Sequence, residues 1–101
     1  MLVGVSLGTR GRLRARAALD ELAQLVESAG GRVVESLLQE RPRRDPATLV
    51  GSGKVEQLRQ LCDDRAAELV VFDDDLSPAQ QRNLEDRLAR KTLDRTQLIL
   101  D

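Results

Sequence analysis

Several short segments of this 101-residue sequence carry residue types able to hold a charged ligand. In Gly51-Ser52-Gly53-Lys54, two glycines let backbone amides approach an anion, and a helix starting there points its positive N-terminus at it. Lys54 adds a full charge. The segment is not a Walker A sequence, which needs glycine where Thr48 stands and Ser or Thr where Val55 stands. The magnesium-binding hydroxyl is therefore missing. A plain strand-to-helix turn with Ser52 as N-cap accounts for the same residues without any ligand.

Arginines at 10, 12, 14 and 16 form a second candidate. Arg12 and Arg16, four apart, share a helical face, while Arg10 falls in the preceding loop. Basic residues at a helix start oppose the helix dipole, and local violations of this kind often mark sites, so phosphate contact is the expected role. The alternative is a solvated helix start. Arg41, Arg43 and Arg44 lie on a proline-stiffened loop and read as solvated. Asp73, Asp74 and Asp75 suggest a cation site, but adjacent carboxylates on alternating faces do not all converge, and a turn explains them more simply. Arg95, between Asp94 and Thr96, is a further candidate phosphate contact. Cys62 fits a core position.

The residues absent exclude as much. With no histidine, the commonest general base and metal ligand is missing. Phe72 is the sole aromatic ring, which nearly excludes stacking on single-stranded bases. Cys62 is the single cysteine, so no internal disulfide forms, which suits a reducing compartment. Net charge is -1, but residues 1–50 hold eight basic against six acidic residues and residues 51–101 eight against eleven. Any nucleic-acid contact must come from local patches. No apolar run approaches the roughly 18–20 residues of a membrane span, and no signal peptide is visible.

Alternating strand and helix signals must position these groups. Leu2 to Leu7 reads as a buried strand ended by Gly8. From Leu13 to Ala29, apolar residues at Ala15, Ala18, Leu19, Leu22, Leu25, Val26 and Ala29 keep helical spacing, and Gly30-Gly31 supplies the stop. Arg32 to Gln39 reads as a second strand, and Thr48-Leu49-Val50 as a brief one. Lys54 to Arg65 reads as a helix with Val55, Leu58, Leu61 and Cys62 inward. Leu69 to Phe72 is the clearest strand. Ser77-Pro78-Ala79-Gln80 matches a capping box opening a third helix, with Leu84 and Leu88 as core contacts. A short extended piece near Thr92-Leu93 follows.

Strands spaced by helices predict an α/β domain: a small open, mainly parallel sheet of four to five strands with helices packed on it. Ligands of such sheets gather outside the carboxyl ends of the strands. If the strands are parallel, the segments 8–12, 51–54, 73–75 and 94–96 share one edge.

Three of these stretches together resemble the N-terminal domain of the HflX family of translational GTPases. They are Asp45-Pro46-Ala47-Thr48-Leu49-Val50-Gly51-Ser52-Gly53-Lys54, then Val71-Phe72-Asp73-Asp74-Asp75-Leu76-Ser77-Pro78-Ala79-Gln80-Gln81-Arg82-Asn83-Leu84-Glu85, then Asp94-Arg95-Thr96-Gln97-Leu98-Ile99-Leu100-Asp101. Their order matches and the stretch from Asp45 to Asp101 that holds them is more than half the chain, whereas residues 1–44 fit only loosely. One departure is Arg90-Lys91-Thr92, less apolar than the family's strand there, which predicts a weak last strand.

The resemblance implies a cytoplasmic protein that binds the large ribosomal subunit and its rRNA and helps split or rescue stalled ribosomes. It also implies residues 1–94 as an α/β subdomain and residues 95–101 as the start of a truncated helical segment leading to a GTPase domain. GTP and magnesium belong to that missing domain, so this stretch is expected to be non-catalytic, with no cofactor of its own and no membrane partner. Arg10, Arg12, Lys54 and Arg95 are the expected rRNA or phosphate contacts, with Gly51, Ser52 and Gly53 shaping the loop. Two alternatives stand beside this reading: adenine-nucleotide (ATP) binding or weak hydrolysis at Gly51–Lys54, as attributed to the family's N-terminal region, and a structural domain that positions the GTPase domain.

Overall fold

A computed structural model describes residues 1–7, 11–41 and 46–100. Their order is β1 (Leu2–Leu7), α1 (Arg12–Ser28), β2 (Ser36–Arg41), α2 (Ser52–Arg65), β3 (Leu69–Phe72), α3 (Pro78–Leu88), β4 (Lys91–Asp94) and α4 (Arg95–Leu100). The four strands form one sheet in the order β2-β1-β3-β4, and every pairing is parallel. Because the side chains of a strand alternate faces, one apolar run feeds two cores. Met1, Val3, Val5, Val70 and Phe72 join Leu58, Cys62, Leu84 and Leu88 under α2 and α3. Leu2 and Val71 join Leu19, Leu22 and Val26 under α1 on the opposite face, with Leu98 of α4 packed alongside. The result is a doubly wound sheet whose topological switch point lies between the carboxyl ends of β1 and β3.

Local chemistry sets the ends of the elements. The chain leaves α1 through a Schellman motif: Gly30 N–H donates to the Glu27 carbonyl, Gly31 N–H to that of Val26, and Gly30 takes φ +90°. Helix α3 opens on the expected capping box, in which Ser77 Oγ accepts from Gln80 N at 3.1 Å and Ser77 N donates to Gln80 Oε1 at 3.0 Å. Gly4 sits where α1 crosses β1, and a Cβ there would meet Leu19 Cγ at 2.9 Å.

Elsewhere the structure corrects the sequence reading. Strand β2 begins at Ser36 rather than Arg32, because its ladder is set by β1, with Leu2 opposite Ser36 and Leu7 opposite Arg41. Val33 and Val34 lie before it and pack against opposite cores. Residues 48–50 form no extended strand, only an isolated bridge at Leu49, which takes φ +68°; all three are buried, Leu49 and Val50 within the core under α2 and α3. Helix α2 starts at Ser52, earlier than Lys54, and its N-cap is Gly51, not Ser52. Strand β4 is complete: all four residues pair with β3, and Thr92 is fully buried with its N–H bound to Glu85 Oε2 and its hydroxyl to the Arg90 carbonyl. A polar residue enters the core there because both its groups find partners. Among the described residues, no helix is long and apolar enough to cross a membrane.

Candidate phosphate contacts and the carboxyl edge of the sheet

Two of the singled-out segments converge. After β3 the chain turns through Asp73–Asp75, after β4 it enters α4, and Asp73, Asp74, Asp75, Arg95 and Thr96 line one cavity of about 590 Å³. The four residues that open α4 fasten it to three other parts of the molecule, the turn after β3, α3 and α1. Asp94 and Gln97 make a second capping box, with Gln97 N donating to Asp94 Oδ1 at 2.9 Å and Asp94 N to Gln97 Oε1 at 3.1 Å. The other oxygen of Asp94, a side chain otherwise buried, accepts from Leu76 N at 2.9 Å. Thr96 Oγ1 donates to Asp75 Oδ1, and the Gln97 amide exchanges hydrogen bonds with that of Gln81 on α3.

Arg95 is the centre of this knot. Its Nε donates to Asp73 Oδ1 at 2.8 Å, its Nη1 to Glu21 Oε1 at 3.1 Å and its Nη2 to the Ala18 carbonyl at 2.7 Å. One guanidinium thus joins α4, the end of β3 and the middle of α1. Burial pulls its pKa down, but the bond to Asp73 and the charges of Asp73 and Glu21 outweigh that and raise it. The guanidinium stays charged and half-buried, engaged by Asp73, Glu21 and the Ala18 carbonyl. The aspartates face different partners, and among the described residues no group of three or more His, Cys, Asp or Glu is placed to hold a metal ion.

The other candidates lie apart. Arg12, Arg14 and Arg16 occupy the first turns of α1, all exposed, with Leu13 beside them 86% exposed. No acidic residue occupies that first turn, Gly11 supplies no side-chain cap, and the three arginines form no ion pair among the described residues. Arg10, Arg43 and Arg44 fall outside the described residues. The Gly51–Lys54 segment sits on the other face of the sheet. Gly51 is buried at φ +80°, while Gly53 has open space where a side chain would stand. Arg87, near the end of α3, reaches the Ser52 carbonyl at 3.2 Å, and Asn83 reaches that of Ala47. The glycine segment thus lies along the second half of α3, away from the Asp73–Asp75 turn at that helix's start. The glycine segment and the Asp73–Asp75 turn with Arg95 therefore form two separate places rather than one site, although all four strands are parallel as expected; residues 8–10 of the first segment lie outside the described residues.

Sequence reasoning missed the roles of Gln81, Asn83 and Asp94. Asp94-x-x-Gln97 carried a readable capping signal, whereas the partners of Gln81 and Asn83 are set only by the tertiary fold.

Comparison with known proteins follows the same outline. The family described as GTP-binding GTPase N-terminal matches residues 16–101. The chain is 45% identical over its full length to GTPase HflX of Lacrimispora saccharolytica and 38% identical to that of Flavobacterium psychrophilum, of which it spans 23% and 24%. It is 40% identical over 83 residues to GTPase HflX of Escherichia coli. Among solved structures, SsGBP in complex with GDP superposes over 98% of this chain and 27% of its own, with a TM-score of 0.70 at 20% identity, a likeness of fold. The chain thus spans about a quarter of the length of the relatives it matches.

Proposed function

Since the chain belongs to the HflX GTPase family and corresponds to its N-terminal domain, we propose that it serves as a ribosome-docking module that grips large-subunit rRNA by its phosphates. The observation that carries this reading is the start of α1. Three exposed arginines stand there without acidic partners among the described residues, although like charges four apart and cations at a helix N-terminus each disfavour the helix. Phosphates remove that penalty. An RNA helix is read by shape and backbone, so the lack of aromatic rings is no obstacle. Arg10 joins this cluster by sequence, and the first-turn amides and Lys54 of α2 provide a second, separate contact. Arg95 acts here as a positioning residue. GTP hydrolysis with magnesium, ribosome splitting or rescue, and a cytoplasmic location belong to the same proposal for the longer protein.

Arg12→Glu with Arg16→Glu tests it. Each phosphate contact contributes about 0.7–0.9 to the slope of log affinity against log salt, so losing two lowers that slope by roughly 1.5. Unchanged affinity and slope for large subunits would sink the assignment. A second reading, a structural domain that orients the GTPase domain, draws support from the knot around Arg95, which fixes where α4 leaves the sheet. Nucleotide binding at Gly51–Lys54 is separable by calorimetry with ATP and magnesium, where absence of heat at millimolar nucleotide removes it.

A further inference from the structure

The side of the molecule furthest from the Arg95 knot carries a surface of which only Lys54 has been given a role above. Strand β2 is an edge of the sheet, paired through six consecutive residues with β1 and with no strand beyond it among the described residues. Its first four residues, Ser36–Gln39, hold no charge and no proline and its ladder has no bulge, so the usual protections of an exposed edge are confined to Glu40 and Arg41 at one end. Beside it runs α2. That helix turns Val55, Leu58 and Cys62 into the core, and Glu56 and Asp63 toward Arg87 and Arg90 near α3. A third face, Lys54, Gln57, Leu61 and Asp64, walls an apolar groove of about 280 Å³ floored by Leu37.

The spacing of that third face, three then four then three, is that of a helix seam. Its charges sit on the wrong ends of the helix: Lys54 in the first turn, where the dipole disfavours cations, and Asp64 in the last, where it disfavours anions. The pattern becomes favourable against an antiparallel copy of itself. A two-fold axis set between Gln57 and Leu61 brings Lys54 of each copy opposite Asp64 of the other, and each Gln57 opposite a Leu61. Because α2 runs antiparallel to β2, such an axis also runs the two β2 edges antiparallel, where they can exchange ladder hydrogen bonds. A parallel arrangement sets Lys54 against Lys54.

We propose that the outer edge of β2 and the Lys54–Asp64 face of α2 form an isologous interface between two copies of this chain, joining their sheets into one. The test is sedimentation equilibrium of the wild-type chain and three variants. The wild type is expected to approach twice its 11.2 kDa mass as concentration rises. Lys54→Asp sets carboxylate against carboxylate, Asp64→Lys sets ammonium against ammonium, and each alone is expected to weaken association about tenfold or more, the span that ~1.4 kcal/mol covers. The doubly exchanged chain, K54D with D64K, restores it. Within one copy the two residues lie ten positions apart and do not touch, and both exchanges suit the helix dipole, so dissociation is not unfolding; circular dichroism checks this. A chain monomeric up to millimolar concentration overturns the proposal. So does a dimer indifferent to either single exchange, or one that the double exchange does not rescue. The doubly exchanged chain keeps its association while lacking the Lys54 charge, so loss of rRNA docking and loss of self-association are read separately.

Discussion

Replacing Arg95 by alanine tests whether that residue is held for the fold or for a ligand. The Arg95 side chain is 22% exposed and that of Asp73 17%, whereas Glu21 is 68% exposed. A fully exposed pair contributes about 0–1 kcal/mol, and stranding one partner of a fully buried pair costs about 3–5 kcal/mol. The Asp73 pair lies between these limits, and the Ala18 carbonyl loses a charged donor as well. Arg95→Ala is therefore expected to cost about 2–3 kcal/mol, most of it through Asp73. Glu21→Ala, on the exposed branch, should cost about 0.5 kcal/mol or less. Urea unfolding at neutral pH reads both as shifts in midpoint at constant slope. A cycle through Arg95→Ala and Asp73→Ala should show a coupling of at least about 1 kcal/mol, as expected for residues in direct contact. If Arg95→Ala unfolds with the wild type and instead loses only ribosome binding, the guanidinium is a docking contact and the structural assignment is refuted.

Three further outcomes follow from single positions. Gly4→Ala drives a Cβ to 2.9 Å from Leu19 Cγ and should destabilise by about 1–3 kcal/mol in the same urea assay, whereas Gly53→Ala, with nothing within 4 Å, should not destabilise at all. Ser77→Ala removes the acceptor for Gln80 N and should cost about 1 kcal/mol, with Ser77→Asp retaining most of it. The Met1 ammonium donates to the Leu69 carbonyl, and burial lowers its pKa from 8.0, an effect only partly offset by the nearby Cys62. The folded chain then binds fewer protons than the unfolded one between that lowered value and 8.0. Stability should rise with pH across this window, by no more than about 1.4 kcal/mol per pH unit, and level off above it. Unfolding midpoints on both sides of pH 8.0 check the sign, and acetylating the amine should abolish the trend.

What the sequence made legible was whatever a few neighbouring residues decide. The α3 capping box spans four residues, the Leu69–Phe72 strand is a short apolar run, and the Gly30-Gly31 stop supplies its own left-handed residue, so each was readable in place. The parallel α/β class follows from the alternation of such elements. Features fixed by distant partners were not readable. The start of β2 depends on its register with β1, more than thirty residues earlier. Residues 48–50 look like a strand because burial and strand pairing favour the same side chains. Ser52 looked like the cap because serine is a good one, but Gly51 alone tolerates the φ of +80° required there. The partners of Arg95 were not legible because Asp73, Glu21 and the Ala18 carbonyl lie 22 to 77 residues away. The arginines of α1 are the opposite case: their local pattern violated helix chemistry, and among the described residues they form no ion pair that would offset it.

Co-sedimentation of this chain with purified large ribosomal subunits, at low and at moderate salt, bears most directly on the docking role. Pelleting at low salt that falls as salt rises, and that Arg12→Glu with Arg16→Glu suppresses, is the predicted result. A chain that stays in the supernatant at low salt contradicts it and leaves the structural role as the account of this domain.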